Sequence, residues 1–319
     1  MAKIVADVGG TNIRLAQIEN GSLSHIKKYL CSDYKTITAV IRAYIADFSD
    51  LDFTAGCLGV ACPVNGDVIS MTNNHWQFSI SQLQTELGLD WLGVINDFTA
   101  VAHAVTVLTH QQKEQIGQGQ ANDLDNIAVF GPGTGLGVKH LTYTAEGWLA
   151  LDGEGGHVDF APVDDVDIAI WQFLNDKLGH ASAEEVLSGR GLVHIYQAIA
   201  KHKGLSTKAA PLDEPSDITE RALDGSCALS VATLNQFCKI LGSFAGNLAL
   251  NLGTRGGVYI GGGIAPRFTN FIKQSDFRAR FEAKGRFRDY VASIPTFIIT
   301  EPDHGLIGAM AYLNQNCKG

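Results

Sequence analysis

The chain has 319 residues, of which 45% are hydrophobic and 18% charged, and its formal net charge is −9. This composition is typical of a globular protein long enough for two domains, and the negative charge argues against nucleic acid as a partner. No apolar run reaches membrane-spanning length, no signal peptide precedes the first strand, and the six cysteines form no CxxC pair. We therefore expect a cytoplasmic protein with reduced thiols and no membrane association.

The N-terminal third of the chain alternates strand and helix patterns. Period-two alternation and an Asn20-Gly21 hairpin turn predict strands, and apolar residues at helical spacing predict helices. The expected strands lie near 3–8, 14–18, 23–29, 55–61 and 92–96, and the expected helices span 36–48 and about 98–107. This order is typical of one half of a ribonuclease-H-like α/β fold.

The first strand runs directly into the turn DVGGTN. Paired Gly9 and Gly10 allow backbone N–H groups to approach an anion closely, and Thr11 adds a hydroxyl donor. Asp7 would repel a phosphate unless a divalent cation lay between them, so the pattern indicates a phosphate turn with Mg²⁺ held by Asp7, directly or through water. An ordinary hairpin with a capping Asp is the alternative interpretation.

A second segment of the same design follows a buried-strand pattern at 126–130. This strand enters the turn GPGTGLG at 131–137, and an alternating strand leaves it. The chain contains neither GxxxxGK[ST] nor a GxGxxG between strand and helix, which excludes a Walker loop and a dinucleotide fingerprint. Two such segments predict a duplicated fold that holds a nucleotide between its halves, although a structural glycine turn is the alternative for either copy.

The remaining chain is richer in helix patterns. After a polar, glycine-punctuated boundary at 111–125, helices are expected at 166–178, 192–201, 228–250 and 306–316, with an exposed loop at 203–216. A third glycine cluster at 256–264 predicts a strand that enters a triple-glycine turn before a short helix. Three consecutive glycines present a flat backbone surface without side chains, which could contact a purine ring or a phosphate. The close packing of a helix on a sheet would also explain glycine here.

Six motifs together resemble bacterial glucokinase of the proteobacterial type, within the hexokinase, actin and Hsp70 superfamily. They cover nearly the whole chain in the expected order: DVGGTNIR (7–14), INDFTAVA (95–102), FGPGTGLGV (130–138), GEGGHVDF (153–160), EEVLSG (184–189) and GGVYIGGGI (256–264). A zinc-binding branch of sugar kinases shares DVGGTN, but its CxCGxxGCxE motif does not occur in this sequence.

The resemblance implies an α/β fold of two domains, ribonuclease-H-like as in the actin-like ATPases, with an interdomain cleft. The expected domains are a small α/β domain (1–108 with about 300–319) and a large α+β domain (109–299). The resemblance also implies ATP-dependent phosphorylation of D-glucose at the 6-hydroxyl, the first step of glycolysis, with Mg²⁺ as the metal. Glucose and ATP are thus the expected partners, and a homodimer is expected from the resemblance alone.

The proposed chemistry centres on the strand that ends in Asn96-Asp97. It places an amide and a carboxylate at the carboxyl edge of the sheet, where ligands bind in open α/β folds. Asp97 is predicted to be the general base that accepts the proton of a sugar hydroxyl as its oxygen attacks the γ-phosphate. The alternative is that Asp97 only caps the helix that starts at Phe98.

The remaining site residues follow from the resemblance. Glycines leave Glu154 and His157 on a flexible backbone, and the resemblance implies that both, with Asn96, Asp97 and Glu184, hold the hexose hydroxyls. Glu184 and its neighbour would equally suit a helix N-terminus. The implied nucleotide-binding residues are Ala6, Asp7, Val8, Gly9, Gly10, Thr11, Gly133, Thr134, Gly135, Gly261, Gly262 and Gly263.

Two other classes of protein share part of this pattern. A nucleotide-driven scaffold of the actin or Hsp70 type would have both phosphate hairpins but would lack the sugar-binding set. A sugar-responsive DNA-binding regulator would need an added helix-turn-helix, which we do not expect because the chain begins at the phosphate strand. Glucose-dependent ADP release separates these three predictions.

Overall fold

A computed structural model describes residues 2–205 and 212–317. The chain divides into two compact units, which we call unit 1 (1–109 with 301–319) and unit 2 (110–300). The first elements of unit 1, in chain order, are β1 (Ala2–Val8), β2 (Asn12–Glu19), β3 (Ser22–Leu30), α1 (Ile37–Ala46), β4 (Phe53–Val60), β5 (Val68–Ser70), β6 (Gln77–Ser79), α2 (Ile80–Leu87), β7 (Trp91–Asn96) and α3 (Asp97–Ala104).

Unit 1 is built on a five-stranded sheet in the order β3-β2-β1-β4-β7. The first three strands are antiparallel, and the hairpin between β2 and β3 turns at Asn20 and Gly21, whose φ angles are 50° and 77°. Strands β1, β4 and β7 are parallel, so their carboxyl ends meet at one edge, where Val8 pairs with Val60 and Val60 with Asn96. Three of the polar residues singled out from the sequence, Asp7, Asn96 and Asp97, lie at or next to this edge.

Unit 2 repeats this strand order. Its elements are β8 (Lys113–Ile116), β9 (Ile127–Pro132), β10 (Leu136–Thr144), β11 (Gly147–Leu151), α4 (Asp165–Leu178), α5 (Gly189–His202), α6 (Pro215–Leu223), α7 (Ala228–Leu252), β12 (Val258–Ile260), α8 (Thr269–Gln274), α9 (Phe277–Glu282), α10 (Arg288–Ala292) and β13 (Thr296–Ile299). The sheet order is β11-β10-β9-β12-β13-β8, with the first three strands antiparallel and β9, β12 and β13 parallel. The two glycine turns, β1 to β2 and β9 to β10, therefore occupy equivalent positions in their sheets.

Each unit has its own apolar core. In unit 1, buried side chains of α1 and α2 pack on one face of the sheet, and α3 packs on the other with the last helix, α11 (His304–Asn316). In unit 2, the 25-residue helix α7 lies at the centre of a cluster that includes side chains of α5, α9 and β9. No helix within the described ranges is long and apolar enough to cross a membrane.

The structure differs from the sequence prediction at two segments. The predicted loop at 203–216 extends two residues too far, because α6 begins at Pro215, a residue that suits the first turn of a helix. Residues 206–211 of that loop lie outside the described ranges. The predicted boundary at 111–125 contains β8, which pairs antiparallel with β13 at the edge of the sheet. An edge strand of polar residues carries little apolar alternation, so the sequence pattern did not reveal it.

Candidate active site

The first glycine turn closes on itself. The N–H of Gly9 donates to the carbonyl of Asn12 at 2.9 Å, which leaves Gly10 and Thr11 at the tip. Thr11 is exposed. Because the Gly9 N–H is already used within the turn, the backbone donors available to a phosphate from this segment are those of the tip.

Asp7 lies near the end of β1, two residues before Gly9, and pairs with Arg14 in the β1/β2 register. Arg14 donates from Nη2 and Nε to Asp7 Oδ2 at 2.5 and 3.2 Å, and from Nη1 to Asp303 at 2.8 Å. Among the described residues, no donor reaches Asp7 Oδ1. Ala6 and Val8 on either side are fully buried in the core, so any contact they make with a nucleotide is through the backbone.

The described residues contain no group of three or more His, Cys, Asp or Glu side chains that could hold a metal ion. A magnesium ion at Asp7 would therefore have one protein carboxylate, acting directly or through water, and would otherwise be held by water and phosphate oxygens, which is the usual mode for nucleotide-bound Mg²⁺. The single oxygen left by Arg14 fits this mode. Arg14 itself is a cation beside the turn that the sequence reasoning overlooked.

Asn96 forms the N-cap of α3. Its Oδ1 accepts from the N–H groups of Phe98 and Thr99 at 3.0 and 3.3 Å, and its Nδ2 donates to the Cys62 carbonyl and to Asp97 Oδ1 at 3.3 and 3.0 Å. These four bonds occupy the two lone pairs and the two protons of the amide. The N-cap is thus Asn96 and not Asp97, and in the structure Asn96 orients its neighbour.

Asp97 is the first residue of α3 and is partly buried at the sheet edge. Its Oδ1 accepts from the Phe98 N–H at 2.8 Å as well as from Asn96 at 3.0 Å, and no donor among the described residues is hydrogen-bonded to Oδ2. Burial, opposed by the Phe98 hydrogen bond and assisted by the negative charge of Asp7, raises the pKa of Asp97 to about 6. A carboxyl with one oxygen fixed, one open and a pKa just below neutrality suits a general base.

The second glycine turn, in unit 2, is also closed by its own backbone. The N–H of Gly133 donates to the carbonyl of Gly135 at 2.8 Å, and Thr134 is exposed at the tip. The N–H of Gly189, the first residue of α5, donates to the carbonyl of Gly133 at 2.9 Å. The start of α5 and the second glycine turn are therefore held together directly.

Glu184 lies against this turn. Its Oε2 accepts from the N–H of Leu136 at 2.8 Å, and its Oε1 pairs with the guanidinium of Arg190. The side chain is only 13% exposed. Glu184 belongs to a 3-10 turn, Ala183–Glu185, which has no side-chain cap, so the predicted helix N-terminus is reduced to this single turn.

Glu154 and His157 are exposed at a short turn that packs on β10. The N–H of His157 donates to the carbonyl of Glu154 at 3.0 Å. Residues 158–160 then pair with 181–183 through two backbone bonds of 2.8 Å, which makes this turn and the Glu184 turn neighbours. The three predicted sugar ligands of unit 2 are thereby brought to one region.

The third glycine cluster packs on the end of β9. The N–H of Gly261 donates to the carbonyl of Phe130 at 2.8 Å, and Gly262, with a φ of 77°, lies against the carbonyl of Pro132. Close backbone approach and the positive φ explain the glycine at 262. A side chain built at Gly263 would meet no atom within 4 Å, so this glycine faces open space where a ligand ring could lie.

Comparison with known proteins decides the family. The sequence matches the glucokinase family over residues 4–316. The chain belongs to the glucokinase family. Glucokinases phosphorylate D-glucose at its 6-hydroxyl with ATP, giving glucose 6-phosphate and ADP, and membership of the family assigns this reaction to the chain.

Individual glucokinases are similar over nearly the whole length. The chain is 50% identical over 318 residues to the glucokinase of Psychromonas ingrahamii and 49% identical over 315 residues to that of Erwinia tasmaniensis, covering 98% of this chain and 97% of each relative. A crystal structure of a glucokinase from an Antarctic psychrotroph matches with a TM-score of 0.93 at 37% identity and 99% coverage of both chains. The mixed α/β fold expected from the motifs is thus confirmed as that of glucokinases.

Proposed function

We propose that Asp97 is the general base of the glucokinase reaction in this chain. The observation that carries the proposal is the state of its carboxyl group, which is partly buried, has Oδ1 fixed by two hydrogen bonds and Oδ2 open, and has a pKa raised to about 6 by burial. Near neutral pH such a group is mostly ionised, yet it accepts a proton more readily than an ordinary aspartate does.

In the proposed step, the 6-hydroxyl of glucose gives its proton to Asp97 Oδ2 while its oxygen forms a bond to the γ-phosphorus of ATP. The bond between that phosphorus and the oxygen bridging to the β-phosphate breaks, and ADP leaves with the electron pair. Because phosphoryl transfer is largely dissociative, Asp97 contributes position and late proton acceptance rather than strong basicity.

The proposed hexose ligands are Asn96, Asp97, Glu154, His157 and Glu184. Carboxylates and an imidazole suit a sugar because each hexose hydroxyl both donates and accepts, and charged acceptors make the stronger bonds. Asn96 already uses its four hydrogen-bonding positions within unit 1. To touch the sugar it would have to exchange one of them, so its first role is to orient Asp97.

For the nucleotide, we propose that the tips of the two glycine turns hold phosphates and that Gly261 to Gly263 support the adenosine. Asp7 would hold Mg²⁺ through water by its Oδ1. When bound, the metal supplies positive charge to the phosphate oxygens. Asp7 is kept in place by Arg14, and the exposed residues Thr11 and Thr134 add hydroxyl donors at the two tips.

The proposed ligands are divided between the two units, since Asn96 and Asp97 belong to unit 1 and Glu154, His157 and Glu184 to unit 2. One hexose held by all of them would bridge the units, and we propose a cleft that closes when the sugar binds. Closure would exclude water, the competing nucleophile for the γ-phosphate. A cytoplasmic homodimer completes the proposal.

The pH dependence of kcat/KM for glucose at saturating Mg²⁺ and ATP tests the assignment of the base. We expect activity to rise with pH and to reach half of its plateau near pH 6, because only the ionised carboxylate accepts the proton. The residual activity of an Asp97→Asn variant should lack this rise. A rise of the same midpoint in that variant would assign the titration to another group and remove Asp97 as the base.

A further inference from the structure

The carboxylate of Glu184 joins two parts of the site that have different ligands. It is a proposed hexose ligand, yet its Oε2 is bonded to the Leu136 N–H at the end of the second glycine turn, at 2.8 Å. The approach is so close that a side chain at Gly135 would place its Cβ 2.6 Å from that oxygen. The Glu184 carboxylate, which is proposed to bind sugar, therefore packs directly against the second glycine turn, which is proposed to bind phosphate.

Arg190 holds this carboxylate in position. Its Nη2 pairs with Glu184 Oε1 and lies 2.8 Å from Glu185 Oε1, and its Nε donates to Glu185 Oε2 at 3.2 Å. Two neighbouring carboxylates, each less than one-fifth exposed, thus share one guanidinium. Without that cation the two negative charges would repel each other at a partly buried site.

The same arginine stands at the start of α5, whose first N–H is bonded to the glycine turn. Ser188 caps the helix by accepting from the Gly191 N–H at 3.2 Å, and its hydroxyl donates to the Glu184 carbonyl at 2.7 Å. The backbone of α5, the Glu184 turn and the glycine turn therefore form one hydrogen-bonded assembly. Arg190 is the side chain within it that fixes the direction of the Glu184 carboxylate.

We propose that Arg190 is a positioning residue that couples the binding of glucose to the binding of ATP. It keeps Glu184 bonded to the phosphate turn, so that a hexose hydroxyl donating to Glu184 and a phosphate at the turn stabilise the same arrangement. Each ligand then raises the affinity for the other, as linkage requires. The inference rests on the proposed role of Glu184 in hexose binding.

The test compares Arg190→Gln, Arg190→Lys and a control, Arg255→Gln. Arg255 is a matched control because it is a half-exposed arginine of the same unit, paired with one carboxylate, Asp125, at 3.1 Å. Three quantities are measured for each: KM for glucose, kcat, and the dissociation constant of a non-hydrolysable ATP analogue with and without glucose. Lysine keeps the charge but not the forked geometry of the guanidinium.

We expect Arg190→Gln to raise KM for glucose roughly tenfold, because charge-assisted hydrogen bonds are individually strong but this one is partly solvent-screened. Its kcat should stay within about twofold of the wild type, since Arg190 is not proposed to touch the reacting atoms. The effect of glucose on the analogue's dissociation constant should disappear in Arg190→Gln and partly return in Arg190→Lys.

Three results would overturn the inference: the same values in Arg190→Gln as in Arg255→Gln, a fall in kcat with unchanged KM, or ligand coupling that survives in Arg190→Gln. The proposed function is judged separately, on the wild type. If wild-type protein shows no glucose-dependent ADP release, the proposed function fails. If it does, and only the ligand coupling is insensitive to Arg190, the positioning role alone is wrong.

Discussion

Replacing Asp97 by asparagine should separate activity from stability. The amide keeps the size and polarity of the carboxylate, and its oxygen can still accept from the Phe98 N–H as Asp97 Oδ1 does at 2.8 Å. It cannot take up the proton of the sugar hydroxyl. Loss of a general base costs about 10²–10⁴ in rate, so turnover should fall by that factor while glucose binding is largely retained.

The same substitution should stabilise the folded protein at alkaline pH. Burial raises the pKa of Asp97 from 3.8 to about 6, which corresponds to about 3 kcal/mol at about 1.4 kcal/mol for each pKa unit. Because the folded pKa lies above the unfolded one, this carboxyl contributes stability below about pH 4 that is lost as the pH rises through about 6. Asparagine carries no such loss, so its advantage over the wild type should be up to about 3 kcal/mol at pH 8 and near zero at pH 4.

Denaturant unfolding of both proteins at pH 4, 6 and 8, beside a kinetic assay at pH 8, measures the two effects. Asp67→Asn is the control, because hydrogen bonds from Ser79 and Ser81 lower the pKa of Asp67 and predict the opposite sign. An Asp97→Asn protein with near wild-type kcat would leave Asp97 with a structural role only. A variant that is less stable than the wild type at pH 8 would refute the burial argument.

Three other predictions follow from the site. Asp7→Ala should reduce kcat/KM more at low than at high Mg²⁺, and a magnesium titration identical to that of the wild type would count against a metal role. Gly156→Ala should raise KM for glucose, because the added Cβ would lie 2.2 Å from the Leu136 carbonyl oxygen and would displace the turn that carries the proposed sugar ligands. The control Gly153→Ala should leave KM unchanged, because its Cβ would have no atom within 4 Å. Equal effects of the two substitutions on KM would contradict this. Glucose should reduce the radius of gyration in small-angle scattering, and an unchanged radius together with brisk ATP hydrolysis in the absence of sugar would favour the ATPase-scaffold alternative.

Sequence patterns predicted the elements that depend on local chemistry. The strand predicted near 3–8 is β1 (Ala2–Val8), the helix predicted at 166–178 is α4 (Asp165–Leu178), and the predicted Asn20-Gly21 turn has the positive φ angles that this dipeptide favours. The helix expected at 98–107 begins one residue earlier and ends at Ala104. Alternation, helical spacing and glycine are local signals, so short windows of sequence sufficed for them.

Partners across the fold were harder to predict. The ion pair of Asp7 with Arg14 could have been predicted, since the turn between the antiparallel strands β1 and β2 places these two residues, seven apart in sequence, opposite each other. Nothing in the local pattern connects Glu184 to the N–H of Leu136, 48 residues away, because that contact depends on how the 181–183 segment pairs within unit 2. Arg190 was missed for the same reason.

The central claim is that this chain transfers the γ-phosphoryl group of ATP to the 6-hydroxyl of glucose with Asp97 as base. The most direct measurement is the amount of ADP and of glucose 6-phosphate formed by the purified protein with ATP and Mg²⁺, with glucose, with 6-deoxyglucose and without sugar. We expect one glucose 6-phosphate for each ADP with glucose, and almost no ADP with 6-deoxyglucose or without sugar. ADP release at a similar rate in all three, without glucose 6-phosphate, would contradict the claim.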